Sequence, residues 1–197
     1  MKQKAIFLDR DGTFIKTVYH PESEIIDTVS NKDEVELTYD MPEVLKKLKG
    51  LGYLLIVVSN QPRVGLKKLS KKAYEEIIAE VDRQLAEQGI KMDKEYYCLH
   101  HPFAELPEYR QKCECRKPGI KFFKDAESEF DIDLRKSWLI GDGVNDILAG
   151  KRAGTKTILI GNMLEGGYLE ILQRELKGTQ PDFVVKKPKE ILDIIQS

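Results

Sequence analysis

The sequence predicts an α/β fold, a doubly wound Rossmann-like parallel sheet, and three observations carry that prediction. Short apolar runs alternate with segments of helical period along the chain, glycine or proline marks many of the switches, and acidic or hydroxyl residues follow directly on the runs. Ala5–Leu8 reads as the first buried strand. Residues 42–51 place Val44, Leu45, Leu48 and Leu51 on one helical stripe that Gly52 stops, and Tyr53–Val58 follows as the second strand. Ser70 can cap a helix in which Tyr74, Ile77, Ile78, Val81 and Leu85 recur at helical spacing, with Gly89 as its end. Tyr96–Leu99 reads as a short strand, and a helix after Pro118 carries Phe122, Phe123 and Ala126. Ser137–Ile140 and Thr157–Ile160 are strands on either side of a short helix ended by Gly154, and the tail repeats the unit with strand Phe183–Val185 and helix Pro188–Ile195.

Composition narrows the classes. With 197 residues, 41% hydrophobic and 33% charged, and a formal net charge of −1, the chain fits one soluble globular domain spanning 1–197, and no strong field draws it to nucleic acid or to an anionic membrane. Its apolar runs are too short to cross a bilayer, and Ala5–Leu8 passes straight into acidic residues, so neither a signal peptide nor a membrane anchor is expected. Cys98, Cys113 and Cys115 fall in one segment, which suits a metal site in a reducing compartment, the cytoplasm, better than a secreted disulfide framework. A small molecule as partner and a monomeric or small homo-oligomeric state are expected.

In a doubly wound sheet, ligands bind beyond the carboxyl ends of the strands, where the chain order reverses. The residues delivered there are Asp9 after the first strand, Ser59 after the second, and Asp142 after the strand ending at Ile140. Asp9 and Asp11 stand two apart, so both carboxylates are expected on one side before Gly12 lets the chain turn away. In phosphoryl transfer from an ester, one carboxylate can attack phosphorus while the second protonates the leaving oxygen and later takes a proton from water. Two carboxylates repel a dianionic ester, and Mg²⁺ offsets that charge with a few carboxylates and water around it. Asp142 and Asp146, in Gly141-Asp142-Gly143-Val144-Asn145-Asp146, are expected to supply a further ligand and its support. Acidic runs with glycine are often plain turns; their delivery to one edge by separate strands is what makes them a site.

The string Phe7-Leu8-Asp9-Arg10-Asp11-Gly12-Thr13 resembles the first motif of the haloacid dehalogenase (HAD) superfamily, Val57-Val58-Ser59-Asn60 its second, Arg116-Lys117-Pro118 its third, and Gly141 to Asp146 its fourth. The resemblance implies a sheet of strand order 5-4-1-2-3, Asp9 as nucleophile, Asp11 as general acid and base, and Mg²⁺ held by Asp9, the Asp11 backbone carbonyl and Asp142, with Asp146 in support. It assigns Ser59 and Lys117 to the phosphoryl oxygens, which fits a reaction catalysed by positioning and by cations. Asn60, Gln61 and Arg116, in the same motifs, are expected to bind substrate.

Cys98-Leu99-His100 and Cys113-Glu114-Cys115 offer two ligand pairs, a set that suits tetrahedral, structural Zn²⁺ across a 98–115 loop. His101 could replace His100 if the turn differs, though extended geometry favours His100. Cys115 directly precedes Arg116 and Lys117, so ligation would pin the loop that carries both cations. This loop, running into Cys115-Arg116-Lys117-Pro118, resembles the branch of D-glycero-D-manno-heptose 1,7-bisphosphate phosphatases and histidinol-phosphate phosphatase domains, whose members lack a large cap domain. Residues 14–41 are long enough for a small flap only. Relative to the heptose-type pattern, Arg63 is displaced and Gly143 stands where lysine is usual. Arg63, Lys67 and Lys68 either serve a distal phosphate or form a solvated basic helix start. Removal of the 7-phosphate of the heptose bisphosphate is the leading reading; histidinol phosphate or another sugar phosphate is the alternative, and a silent phosphate-binding module the non-enzymatic one.

Overall fold

The computed structural model of the protein describes residues 2–22, 24–161 and 173–196. Six parallel strands form the sheet: β1 (Lys4–Leu8), β4 (Tyr53–Asn60), β5 (Lys94–Cys98), β6 (Trp138–Gly141), β7 (Lys156–Ile160) and β8 (Phe183–Val185). Their spatial order is β5-β4-β1-β6-β7-β8. Counted by the sheet's own strands, this is the expected 5-4-1-2-3 order with one more strand, β8, at the far edge. A two-stranded antiparallel hairpin, β2 (Val18–His20) and β3 (Ile25–Asp27), stands apart from it.

The central strands are buried on both faces, so their sequences are nearly unbroken apolar runs. Alternate residues serve opposite faces. Ile6, Leu8, Leu55, Val57, Ile140 and Ile158 pack with Val44, Leu45 and Leu48 of helix α1 (Met41–Gly50), Ile77, Val81 and Leu85 of α2 (Lys71–Glu87), and Ile191 of α5 (Glu190–Gln196). Ala5, Phe7, Ile56, Val58 and Leu139 pack with Phe123 and Ala126 of α3 (Lys121–Phe130) and Ala149 of α4 (Val144–Ala153).

The punctuation follows the sequence. The Ser70 hydroxyl accepts from Ala73 N–H and caps α2, and Gly52, Gly89 and Gly154 adopt positive φ just after α1, α2 and α4. Some boundaries move by one or two residues: β4 runs on to Asn60, so Ser59 is its penultimate residue rather than the residue after it; β5 begins at Lys94 and ends at Cys98, so Leu99 lies in the following loop; and α5 begins at Glu190 rather than Pro188. The segment 14–41 holds the β2/β3 hairpin, whose exit buries Val29 and Val35 in the core. Among the described residues no large cap domain is inserted and no helix is long and apolar enough to cross a membrane.

Candidate active site

Register delivers the first three groups to one edge. Leu8 of β1 pairs with Val57 of β4 on one side and with Ile140 of β6 on the other, so Asp9, Asp142 and Ser59, the last still paired with Tyr97 in the final residues of β4, all lie at the same end of the sheet, on both sides of the point where chain order reverses. The Asp9 backbone N–H continues the ladder to Ile140 O at 3.0 Å.

After Asp9 the chain leaves the extended conformation. The carbonyl of Arg10 accepts from the N–H groups of Thr13, Phe14 and Ile15, and Gly12 sits at φ +73°. A Cβ at Gly12 would lie 2.0 Å from Asp142 Oδ2, so the position demands glycine twice, for conformation and for the close approach of the Asp142 carboxylate. The tight turn also breaks the two-residue alternation that would put Asp9 and Asp11 side by side. Asp9 joins Asp142 and Asp146, with one carboxylate oxygen of each within 4.8 Å of the others. The Asp11 carboxylate is outside this cluster and faces Arg10 and Gln61: Oδ1 accepts from Arg10 Nε (3.1 Å), and Oδ2 from Arg10 Nη2 (2.9 Å) and Gln61 Nε2 (2.6 Å).

Lys117, 3% exposed, bridges the acidic cluster, with Nζ 2.9 Å from Asp9 Oδ1 and 2.5 Å from Asp146 Oδ1. Burial works against its ammonium, but Asp146 and Asp9 outweigh that and raise its pKa. The other oxygen of Asp146 accepts from Gly143 N–H at 3.0 Å at the start of α4, so Asp146 ties the fourth-motif loop to the lysine. Burial, then repulsion from Asp9 and Asp146, pushes Asp142 up to about 8; burial pushes Asp146 up to about 6 against the pull of Lys117. One lysine among three carboxylates leaves an excess of negative charge, and an all-oxygen donor set of this kind fits a hard divalent cation of the magnesium class.

The lysine is held from behind. Asn60 Nδ2 donates to Lys117 O at 3.0 Å and Asn60 Oδ1 accepts from Lys117 N–H at 2.9 Å, so its amide engages the backbone of the third motif. Gln61 is likewise engaged within the protein, with Asp11, Ser59 and Arg10. Arg116, half-buried, reaches the His100 carbonyl at 3.5 Å. Arg63 is turned to the flap: it donates to Thr28 O, Thr28 Oγ1, Val29 O and Ser30 Oγ at 2.8–3.0 Å, fastening the hairpin exit to the second-motif loop. Lys67 and Lys68 are exposed. Neither Arg63's partners, more than thirty positions upstream, nor Arg10's fork onto Asp11 is visible in local periodicity; the spacing Gly143 to Asp146, typical of a helix start, was the only local sign of the Asp146 contact.

Beside Lys117 lies a cluster of four soft donors. Cys98 Sγ is 3.4 Å from Cys115 Sγ, 3.6 Å from Cys113 Sγ and 3.8 Å from His100 Nδ1; Cys113 and Cys115 are 3.0 Å apart, and His100 Nδ1 is 3.3 Å from Cys115 Sγ. Tetrahedral zinc with Zn–S of about 2.3 Å separates its sulfurs by about 3.8 Å, so the donors fit that ion in kind and approximate spacing. His101 is outside the cluster; its Nδ1 accepts from Phe103 N–H at 3.2 Å.

Comparison with known proteins agrees with this geometry. A HAD-hydrolase-like family model matches residues 114–191. The chain is 36% identical to the D-glycero-beta-D-manno-heptose-1,7-bisphosphate 7-phosphatase of Haemophilus ducreyi over 80% of its own length and 82% of the relative's. It is 38% identical to the protein of that name from Pasteurella multocida over 80% and 82% of the two chains. Its fold superposes on a D,D-heptose 1,7-bisphosphate phosphatase from B. bronchiseptica, solved with magnesium and phosphate, with a TM-score of 0.74, 23% identity, and 98% of both chains covered. With such identity over four-fifths of both chains, and an edge that gathers Asp9, Ser59, Lys117 and Asp142, the chain belongs to the D-glycero-D-manno-heptose 1,7-bisphosphate phosphatase family of the HAD superfamily and is a phosphatase.

Proposed function

We propose that this phosphatase removes the 7-phosphate of D-glycero-D-manno-heptose 1,7-bisphosphate through a phosphoryl intermediate on Asp9, with Mg²⁺ at the active site and structural Zn²⁺ in the 98–115 loop, in the reducing cytoplasm. The observation that carries the reading is the meeting of Asp9, Asp142, Asp146 and Lys117 beyond the sheet edge in a chain whose relatives bear that name.

An Asp9 oxygen attacks phosphorus as the ester P–O bond breaks, and the electron pair stays on the leaving oxygen, which takes a proton from Asp11. Water then attacks the aspartyl phosphate, gives its proton to Asp11, and frees Asp9 and inorganic phosphate. Lys117 and the Ser59 hydroxyl hold phosphoryl oxygens and keep the chain's positive charge where negative charge accumulates. Asp9, Asp142 and the Asp11 carbonyl would hold magnesium, which when bound neutralises the charge shared by carboxylates and phosphate. Asp146 and Asn60 fix Lys117 in place for both steps.

A panel containing both anomers of the heptose bisphosphate, histidinol phosphate and nucleoside monophosphates, ranked by kcat/KM, tests the substrate. The heptose bisphosphate is expected to exceed the others by at least about 100-fold, because a site that pairs polar groups of its substrate leaves them unpaired with the wrong one. Histidinol phosphate or a nucleotide at the head of the ranking would overturn it.

The raised pKa of Asp142 gives a second expected result. Its folded value, about 8, lies above the unfolded value of about 3.9. Between the two the folded metal-free chain binds more protons than the unfolded one, so this group's contribution makes stability fall as pH rises from 4 to 8. Magnesium binds the ionised form and must displace that proton, so its apparent affinity rises by up to about tenfold per pH unit toward pH 8 and then levels. Melting temperatures with and without magnesium should diverge with rising pH; an increment independent of pH between 6 and 8.5 would contradict the assignment of Asp142.

A further inference from the structure

Gln61 sits at the centre of a buried network between two reacting groups, and its chemistry leaves one arrangement. Arg10 and Gln61 are 2% and 4% exposed. A guanidinium only donates and an ionised carboxylate only accepts, so the Gln61 carbonyl oxygen must face Arg10 Nη2 (2.9 Å) and its nitrogen must face Asp11 Oδ2 (2.6 Å). The second amide hydrogen of Nε2 goes to Ser59 Oγ at 3.0 Å. Two consequences follow. Ser59 accepts from Gln61, so its own proton is left for another acceptor. Asp11 Oδ2 is held by two donors, whereas Oδ1 has one, Arg10 Nε, at the longest distance of the three, 3.1 Å. The network is backed by Tyr97, whose ring centre is 5.9 Å from the Arg10 guanidinium carbon and whose hydroxyl donates to Glu95 at 2.6 Å.

We propose that Gln61 is a positioning residue for proton transfer: it anchors Asp11 through Oδ2 and turns the Ser59 proton toward the phosphoryl group, leaving Oδ1 as the oxygen that exchanges protons with leaving group and water. This rests on the aspartyl-phosphate reading above. In the first step Oδ1–H gives its proton to the leaving oxygen as the ester P–O bond breaks and the Asp9–phosphorus bond forms. In the second, Oδ1 takes a proton from the attacking water as the Asp9–phosphorus bond breaks. Arg10 stays in place and forms the fixed end of the anchor. The same one-sided amide explains why a glutamine suits this position: only a group with two donors and one acceptor answers Asp11, Ser59 and Arg10 together.

The role separates from a merely structural one by leaving group. An alkoxide leaves only with a proton, whereas p-nitrophenolate leaves without one, so a fault in proton delivery shows on a primary sugar phosphate and hardly on p-nitrophenyl phosphate. For Gln61→Met, of similar volume but without donors, kcat/KM is expected to fall about 100-fold on the sugar phosphate, within the range of general acid catalysis, and about fivefold on the aryl ester, the share that passes through Ser59. In an Asp11→Asn background, Gln61→Met should reduce sugar-phosphate turnover by no more than that fivefold share, since the proton carrier is already absent. Equal losses on both esters would overturn the proposal. Should Gln61→Met melt out, Gln61→Glu keeps the shape, places an acceptor against Asp11, and must show the same asymmetry. An active Asp9→Asn enzyme would overturn the aspartyl-phosphate reading itself; an inactive one beside symmetric Gln61 losses overturns only the role of Gln61.

Discussion

Replacing Asp9 with Asn is expected to lower kcat by about 10⁴-fold or more on every ester the protein hydrolyses, and to leave the fold intact. An amide nitrogen and a carbonyl oxygen lack the charge that attacks phosphorus, and no neighbouring carboxylate can take over. Asp142 approaches Gly12 so closely that a Cβ there would lie 2.0 Å from its Oδ2, and Asp146 has one oxygen on Lys117 and the other on the Gly143 N–H. Stability should hold, because Asn keeps the side-chain size and removes a negative charge from a crowded group of three carboxyls, while Lys117 keeps its partner Asp146 at 2.5 Å. The Asp142 pKa should move down from about 8, since repulsion from Asp9 is the second cause of its elevation after burial. Phosphate release under saturating ester, together with a melting curve, checks both halves. Turnover within tenfold of the parent would remove Asp9 from the chemistry, and a collapsed melting transition would make the loss uninformative about attack, which is why the two are measured together.

What was legible in the sequence was whatever depends on neighbours along the chain. Helix α2 was readable because Ile77, Val81 and Leu85 repeat with the helix and Ser70 and Gly89 bracket it; the strands were readable because burial on both faces leaves unbroken apolar runs such as Leu55–Val58. Delivery of Asp9, Ser59 and Asp142 to one edge followed from strand order alone. Where side chains point was less accessible. Strand alternation predicts Asp11 beside Asp9, yet the turn from Arg10 to Ile15 directs Asp11 to Arg10 and Gln61. Arg63 reads locally as part of a basic loop, and only the fold brings it to Thr28–Ser30, where its four bonds hold the hairpin exit. Asn60 shows the same limit: its two bonds to the backbone of Lys117 join motifs more than fifty residues apart, and no periodicity encodes them.

The second large effect is expected at the soft-donor cluster. The segment from Cys113 to Lys121 is drawn tight: Lys121 N–H donates to Glu114 O at 3.0 Å, Gly119 N–H to Arg116 O at 2.7 Å, and a Cβ on Gly119 would lie 2.3 Å from Glu114 O. One end of this loop is therefore anchored at the start of α3 and its middle by the two Asn60 bonds to the Lys117 backbone, while its other end depends on what holds Cys113 and Cys115. Burial pushes the Cys98 and Cys115 thiols up, while hydrogen bonds from Cys115 and the Arg116 backbone outweigh burial and bring Cys113 down; without a metal such a set is a weak anchor, whereas deprotonated sulfurs around zinc would form a strong one. Cys115→Ser should therefore abolish binding of about one zinc per chain. It should lower stability by about 3 kcal/mol, near 10 °C in melting temperature for a chain of this size, and reduce kcat/KM by about 10- to 100-fold. Activity should fall because Lys117 is two residues away and must meet Asp9 at 2.9 Å and Asp146 at 2.5 Å to hold its place. The loss should appear in kcat and KM together, since the lysine serves both bound phosphate and the transition state. Wild-type protein stripped of zinc that keeps its melting temperature and its turnover would show instead that the cluster is a set of packed thiols, and that Asn60 and Asp146 suffice to hold Lys117.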